Sequence, residues 1–286
     1  MPSSPIPTMD SQRRNAALFC GLVSTRGSLA TGMSRILILG GTTEARELAE
    51  RLAKHGELEV VVSLAGRTKF PAPQPARLRS GGFGGVSGLA DYLVTEKVDA
   101  LVDATHPYAD VISANAGAAA RQTAVPFVAL RRPPWHAVAG DRWQEVTDVG
   151  AAVRALADRP RRIFVTLGRG ELNPLGDALQ HFYLIRSVDP VEPPLLLTRA
   201  AYVTARGPFS EADDRALMRL HGIDAVIAKN SGGTASYGKI AAARSLGIEV
   251  IMLRRPPLAD APAVETVDAA VAWLDHALTS AAARGV

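Results

Sequence analysis

The chain repeats one pattern of residues, and this repeat constrains the fold more than any other feature. DALV at 99–102 begins a stretch that ends with RRPP at 131–134, and DAVI at 224–227 begins another that ends with RRPP at 254–257. In each copy an apolar run is followed by a polar loop, an alanine-rich amphipathic segment and a second apolar run. The copies lie about 125 residues apart, a period too long for solenoid repeats and typical of two similar domains.

A second pair of matching segments extends the repeat upstream. RILILGG at 35–41 corresponds to RIFVTLG at 162–168. From Ser34 onward, short apolar runs rich in β-branched residues alternate with helical segments rich in Ala, Leu and Arg, a pattern typical of βαβ units. The sequence therefore predicts an α/β fold of two Rossmann-like parallel-sheet domains related by internal duplication.

The predicted domains are residues 34–150 and 151–286. Residues 1–33 are expected to be a disordered extension or the product of a mis-called start, because Met33 directly precedes the first strand. In the first domain the predicted strands lie at 35–39, 58–63, 77–80, 99–103 and 126–130, and the helices at 43–55, 86–96 and 109–123. In the second domain the predicted strands lie at 162–166, 182–187, 201–205, 225–228 and 249–253, and the helices at 171–179, 210–221, 236–246 and 266–279. The stretch 131–150 is expected to cross between the lobes, with the arginines of both RRPP blocks at surface corners.

Composition excludes several classes of protein. The 286 residues are 47% hydrophobic and carry a net charge of +4, without a Lys/Arg run of the kind that binds nucleic acid. No apolar stretch reaches the length of about 18–20 residues that a membrane span needs. Cys20 is the only cysteine, which excludes internal disulfides and Cys-based metal sites. We expect a cytoplasmic protein with no metal, no nucleic-acid partner and no membrane association.

The loop after the first strand has the composition of a nucleotide-binding turn. Gly40 and Gly41 allow a sharp turn and close approach of a ligand. Thr42 and Thr43 can cap the following helix, whose N-terminus favours a phosphate. A G-x-G-x-x-G motif is absent, so a tight turn without a ligand stays the alternative.

The end of the second strand indicates which nucleotide would bind. NAD enzymes commonly place an acidic residue here to hold the ribose 2′-hydroxyl. This chain has Ser63, Arg67 and Thr68 instead and no acid. That combination favours a 2′-phosphate, and hence NADP over NAD.

The corresponding loops of the two copies differ in chemistry. After the fourth strand, His106 is either a proton donor or a helix cap, and Tyr108 either stacks on a ring or packs beneath the loop. In the second copy, Lys229 begins the segment KNSGGT at 229–234, a plausible nest for a carboxylate. Further cations follow neighbouring strands of the second copy and together suggest an anion site. These cations are Arg169, Arg186 and Arg206.

Taken in order, six motifs resemble the precorrin-6A reductase family of cobalamin biosynthesis. They are GGTTEAR at 40–46, DATHPYA at 103–109, GRGEL at 168–172, RSVDP at 186–190, ARGPF at 205–209 and AKNSGG at 228–233. The resemblance runs from about residue 34 to the C-terminus. It implies NADPH-dependent reduction of the tetrapyrrole precorrin-6A, or its cobalt form, to precorrin-6B by transfer of a hydride and a proton.

The resemblance also implies an active site in the cleft between the two domains, and a division of roles between them. NADPH is assigned to the first domain and the macrocycle, which bears many carboxylates, to the second. The expected cofactor-binding residues are Gly40, Gly41, Thr42, Thr43, Glu44, Arg46, Ser63, Gly66, Arg67, Thr68 and Thr105. The expected substrate-binding residues are Arg169, Arg186, Arg206, Lys229, Asn230, Ser231, Gly232, Gly233, Tyr237 and Lys239. The candidates for the catalytic proton donor are His106, Tyr108 and Lys229.

Two other functions are compatible with the residues alone. A two-lobed nucleotide-sugar transferase would need no nicotinamide, and an NADPH-binding module would bind the cofactor without turnover. A short-chain dehydrogenase is disfavoured, because neither Tyr108 nor Tyr237 is followed four residues later by the lysine that those enzymes use.

Overall fold

The structure is a computed structural model that describes residues 33–66, 72–257 and 261–284. From Ser34 onward the described chain forms one compact unit that contains two parallel sheets of six strands each. The first sheet contains β1 (Ser34–Leu39), β2 (Leu58–Leu64), β3 (Arg77–Ser80), β4 (Ala100–Asp103), β5 (Phe127–Leu130) and β12 (Ala263–Val264). The second contains β6 (Trp143–Val146), β7 (Arg162–Thr166), β8 (Phe182–Ser187), β9 (Ala200–Thr204), β10 (Ala225–Lys229) and β11 (Glu249–Leu253). The helices are α1 (Thr43–Leu52), α2 (Gly85–Thr95), α3 (Asp110–Thr123), α4 (Val149–Ala155), α5 (Glu211–Leu220), α6 (Gly238–Leu246) and α7 (Val267–Arg284).

The strand orders of the two sheets are equivalent, which confirms the predicted pair of Rossmann-like sheets. The first sheet runs β12-β5-β4-β1-β2-β3 and the second runs β6-β11-β10-β7-β8-β9. Each order reverses beside its central strand, between β1 and β4 in the first sheet and between β7 and β10 in the second. Ligands of such sheets bind outside the carboxyl ends of the strands at this reversal. We call each sheet with its covering helices a lobe.

Alternating residues of the central strands pack into two cores, one on each face of the sheet. Ile36 and Ile38 belong to the core beneath α1 and α7, whereas Leu37 and Leu39 belong to the core beneath α2 and α3. All four side chains are buried. Because side chains alternate along a strand, a strand that is apolar at nearly every position can only fit between two layers of helices.

Three segments differ from the predicted elements. The predicted helix 171–179 is replaced by two 3₁₀ helices, Arg169–Glu171 and Asn173–Asp177, because Pro174 removes a backbone donor and starts a new turn. The predicted crossing 131–150 contains β6, which pairs with β11 of the second sheet. The last helix, α7, packs on the core of the first lobe and not on the second, because β12 returns the chain to pair with β5.

The predicted domain limits at residues 150 and 151 remain a proposal. In sheet membership, β6 lies before that limit and belongs to the second sheet, and β12 lies after it and belongs to the first. Residues 1–32 of the predicted extension lie outside the described residues. Within the described ranges, no helix has the length and apolar character needed to cross a membrane.

The arginines of the two RRPP blocks do not all lie at surface corners. Arg131 is buried, and Arg132 and Arg255 are largely covered by contacts between the lobes. Arg254 alone among the four fits the prediction, with 61% of its side chain exposed beside Glu145. The other three are wholly or partly covered because backbone carbonyl groups and carboxylates of the strand-end loops surround them.

Candidate functional site

The turn between β1 and α1 requires both of its glycines. A Cβ atom on Gly40 would lie 3.0 Å from Cγ1 of Val62 and 3.2 Å from Cδ2 of Leu64. Gly41 has a φ of +119°, a conformation that disfavours side chains, and open space lies beside it. The backbone of this turn is therefore accessible to a ligand.

Thr42 connects the two strands that flank the reversal in the first sheet. It is the N-cap of α1, and its Oγ1 accepts a hydrogen bond from the backbone N–H of Ala45 at 3.1 Å. The same hydroxyl donates to the carbonyl oxygen of Ala104, at the end of β4, at 2.8 Å. A small pocket, with a cavity volume of about 10 Å³, opens at this point of the sheet. It is lined by Thr42, Glu44, Thr105, Pro107, Leu130 and Arg132.

The loop after β4 rests on a buried ion pair. Arg131 and Asp103 are paired beneath the loop, and both are almost fully buried. Arg131 Nη1 also donates to the carbonyl oxygen of Thr105 at 3.2 Å, and its Nη2 donates to Ser113 Oγ at 2.6 Å. The Thr105 hydroxyl donates to Asp103 at 2.7 Å. Thr105, predicted to contact the cofactor, is held by this network at the edge of the pocket.

An arginine of β3, which the sequence prediction did not include, lies beside the end of β2. Ser63 and Arg79 are partners in the β2–β3 register, and Arg79 Nη1 donates to Ser63 Oγ at 3.3 Å. The Arg79 guanidinium also lies 3.7 Å from the ring centre of Phe83. Arg67 and Thr68 lie outside the described residues. Gly66 is exposed, with a φ of +72°.

His106 joins the first lobe to the second as a neutral imidazole. Its Nε2 lies 3.1 Å from Ser231 Oγ, and its Nδ1 accepts from the backbone N–H of Tyr108 at 3.4 Å. Burial, together with the nearby cations of Arg132 and Lys229, lowers the pKa of His106 to about 3. With Nδ1 accepting from Tyr108, the neutral ring is the tautomer with its hydrogen on Nε2, which faces Ser231.

The phenol of Tyr108 is engaged by the second lobe. Its hydroxyl donates to the carbonyl oxygen of Leu253 and accepts from the backbone N–H of Asn230 at 2.8 Å. The ring packs against the core of the second lobe. Burial raises the pKa of Tyr108 to about 12, so the phenol stays protonated at neutral pH and serves as a contact between the lobes.

Lys229 and Glu171 form an ion pair at the reversal of the second sheet. Lys229 ends β10, and Glu171 follows β7, the strand on the other side of the reversal. Lys229 Nζ lies 4.9 Å from the ring centre of Tyr108, and its side chain is 15% exposed. The equivalent strand of the first lobe, β4, ends at Asp103, so the two corresponding strand ends carry side chains of opposite charge type.

The loop after β10 is fixed by the backbone of the first RRPP block. The side chain of Asn230 accepts from the N–H of Trp135 at 2.7 Å and donates to the carbonyl oxygen of Trp135 at 2.8 Å. Gly232 has a φ of +69°, and a Cβ atom there would overlap the carbonyl oxygen of Pro133. Gly233 has a φ of +68°, and a Cβ atom there would lie 2.9 Å from Cδ of Arg132. The glycines are therefore needed for the close packing of the lobes.

The predicted substrate cations divide into exposed and buried groups. Arg169 and Arg206 lie on the surface at the carboxyl edge of the second sheet. Arg186 is buried, paired with Asp214 and stacked 3.6 Å from the ring centre of Phe209.

The last two predicted substrate residues, Tyr237 and Lys239, are held within the second lobe. Tyr237 contacts Arg244 through its hydroxyl and packs on the ring of Trp135. Lys239 is buried, and its Nζ donates to the carbonyl oxygen of Ser236 at 2.7 Å. Burial and the cation of Arg186 lower the pKa of Lys239 to about 7.

Comparison with known proteins identifies the family of this chain. The family model described as Precorrin-6x reductase CbiJ/CobK matches residues 35–275. A precorrin-6A reductase of Sinorhizobium sp is 56% identical over 86% of this chain and 95% of its own length. A precorrin-6A reductase of Rhodobacter capsulatus is 50% identical over 89% of this chain and 100% of its own length.

A solved structure of CobK precorrin-6A reductase shares the fold. It superposes with a TM-score of 0.83 at 49% identity and covers 86% of this chain and 97% of that one. The residues that the family model matches, 35–275, include strands of both sheets and the loops at their carboxyl ends. The chain therefore belongs to the precorrin-6x reductase CbiJ/CobK family.

Proposed function

We propose that the chain reduces precorrin-6A with NADPH as the hydride donor, the cofactor lying on the first lobe and the macrocycle against the second. The contact between the two loops that follow the equivalent strands β4 and β10 carries this proposal. Because His106 Nε2 and Ser231 Oγ lie 3.1 Å apart, ligands held at the two reversals would lie next to each other. Transfer of hydride requires such proximity. Family membership favours a reductase over the transferase and the binding module.

The first lobe fits a dinucleotide. The glycine turn at residues 40–41 leaves backbone accessible, and Thr42 starts α1 directly beside the pocket. NADPH, when bound, supplies the hydride, and the protein positions it and excludes water. The absence of an acid at the end of β2, where Ser63 stands, supports selection of the 2′-phosphate by Arg67 and Thr68.

The second lobe fits a polyanionic macrocycle. Lys229, Arg169 and Arg206 present positive charge along the carboxyl edge of the second sheet. Carboxylates of the substrate would pair with these groups through charge-assisted hydrogen bonds. Arg186 and Lys239 are buried, so we assign them to holding the loops and not to direct contact with the substrate.

Of the three candidate proton donors, Lys229 is the best placed. His106 is neutral and donates its one hydrogen to Ser231, and Tyr108 uses its hydroxyl to hold the second lobe. Lys229 is paired with Glu171 at the reversal of the second sheet, and its side chain remains partly exposed. We therefore assign to Lys229 both the attraction of a substrate carboxylate and the supply of the proton.

An anaerobic turnover assay tests the function. Purified protein is mixed with precorrin-6A and either NADPH or NADH, and with the cobalt-loaded substrate in parallel. We expect oxidation of NADPH only when the macrocycle is present, with a higher kcat/KM for NADPH than for NADH. Oxidation without macrocycle, or no oxidation with either form of it, would contradict the proposal.

A further inference from the structure

One arginine connects the candidate cofactor helix to the candidate substrate loop. Arg132 follows β5, and its Nη1 donates to Glu44 Oε2, in the first turn of α1, at 2.6 Å. Its Nε donates to the carbonyl oxygen of Ser231, in the loop after β10, at 2.6 Å. The side chain is only 14% exposed. A single planar guanidinium therefore bridges the two lobes through both of its edges.

The loop after β10 is shaped around this bridge. A Cβ atom on Gly233 would lie 2.9 Å from Cδ of Arg132 and 3.3 Å from Oε1 of Glu44. The matching arginine of the second RRPP block, Arg255, donates to the carbonyl oxygen of Asn230 at 2.7 Å and to that of Arg132 at 2.8 Å. Displacement of the Arg132 guanidinium would consequently move the loop.

The bridge also borders the pocket at the reversal of the first sheet. Arg132, Glu44 and Thr42 all line that pocket. Within the described ranges, Nη2 of Arg132 makes no hydrogen bond to another residue, so a donor is available there. A phosphate in the pocket would compete with the Glu44 carboxylate for the same guanidinium, because both are anions that form charge-assisted hydrogen bonds.

We propose that Arg132 is a positioning residue that couples binding of the cofactor's pyrophosphate on the first lobe to the placement of loop 231–233 on the second. This inference rests on the proposed function. When a phosphate draws the guanidinium away from Glu44, the bond from Nε to Ser231 moves the loop with it into the position that receives the macrocycle. Cofactor and macrocycle then bind cooperatively.

Coupling between two binding sites is reciprocal. If NADP⁺ strengthens binding of the macrocycle by some factor, the macrocycle must strengthen binding of NADP⁺ by the same factor. Couplings of this kind typically amount to about 5- to 150-fold. For a single shared guanidinium we expect a factor of about ten.

Calorimetric titration of the whole protein tests the coupling. The Kd of NADP⁺, which cannot reduce the substrate, is measured with and without saturating precorrin-6B under anaerobic conditions. The wild type should show a coupling factor of about ten, equal in both directions. Arg132→Gln should bring the factor close to one while each ligand still binds alone. Arg254→Gln, which alters the exposed arginine of the second block, should leave it unchanged.

Two further measurements show whether Arg132→Gln loses the coupling through altered hydrogen-bond geometry, through misfolding or through loss of charge. Arg132→Lys keeps the charge but lacks the planar fork, so it should retain NADP⁺ binding and still lose the coupling. The probe 2′-AMP lacks a pyrophosphate, so its Kd should be the same in wild type and Arg132→Gln. Persistence of the coupling in Arg132→Lys would overturn the inference even if Arg132→Gln failed to fold.

The outcomes also distinguish a failure of this inference from a failure of the proposed function on which it rests. If the wild type binds neither NADP⁺ nor precorrin-6B, the proposed function fails. If it binds both with a coupling factor of one, only the role of Arg132 fails.

Discussion

His106 Nε2 in the first lobe lies 3.1 Å from Ser231 Oγ in the second, and both residues follow equivalent strands of the duplicated sheets. The duplication thus brings its own corresponding loops into contact. One loop holds a neutral imidazole and a half-buried phenol, and the other holds an ammonium and two glycines. The chemical difference between these loops at one junction is the basis of the proposed reaction.

The first prediction concerns the pH dependence of stability. The folded state keeps the pKa of His106 near 3, whereas the ordinary value is 6.5. Between these values the unfolded chain binds a proton that the folded chain does not. The free energy of unfolding should therefore fall as the pH drops from 6.5 toward 3, by up to about 1.4 kcal/mol per pH unit from this residue.

Urea unfolding of wild type and His106→Gln across this range measures the effect. The variant should show a shallower decline, and His55→Gln, at an exposed histidine of the first lobe, should match the wild type. Identical pH profiles for wild type and His106→Gln would rule out the buried neutral imidazole.

The second prediction concerns the close approach of the lobes. Gly232→Ala would place a side chain at a φ of +69° and against the carbonyl oxygen of Pro133. The variant should lose at least about 2 kcal/mol of unfolding free energy, from backbone strain and overlap together. Gly176→Ala, with open space around its Cβ position, should lose much less. Equal stability of the two variants in urea titrations would contradict the packing described.

The third prediction concerns selection of the cofactor. Arg67→Ala should weaken binding of NADPH by about 10- to 100-fold, because hydrogen bonds to a charged phosphate are lost. It should change the binding of NADH little. Fluorescence titration with both cofactors measures the two Kd values. Arg121→Ala, at an exposed arginine on α3, serves as the control. A similar loss of affinity for both cofactors would show that Arg67 does not bind the 2′-phosphate.

The fourth prediction concerns the second lobe. Lys229→Ala should leave the Kd of NADPH unchanged, raise the KM for precorrin-6A by about tenfold or more, and lower kcat, because one group both attracts a carboxylate and supplies the proton. Steady-state kinetics beside Lys54→Ala, a change at an exposed lysine of the first lobe, gives the comparison. Loss of NADPH binding in Lys229→Ala would show that the lobes do not divide the ligands as proposed.

Much of the fold follows from the sequence because it depends on local pattern. All ten predicted strands are present to within one residue at each end, since continuous apolar runs leave few alternatives. The strands β6 and β12 escaped prediction because they have four and two residues and lie at sheet edges. Their pairing depends on distant partners and not on their own composition.

The loops that form the site could be predicted from the sequence, but the contacts between their side chains could not. Residue types identified the turn at Gly40 and the cations of the second lobe, but not the burial of Arg186 or the bridging role of Arg132. Arg131 is buried because Asp103 lies 28 residues earlier on the neighbouring strand, a relation that only the sheet order creates. Local composition carries no information about such partners.

The most direct test of the account is the origin of the hydrogen added to the macrocycle. Anaerobic turnover of precorrin-6A is run in ordinary water with NADPH deuterated at both C4 positions, and the product is weighed by mass spectrometry. The account predicts one deuterium in the macrocycle from the cofactor and one hydrogen from the protein or solvent. A product without deuterium would contradict direct transfer between ligands held on the two lobes.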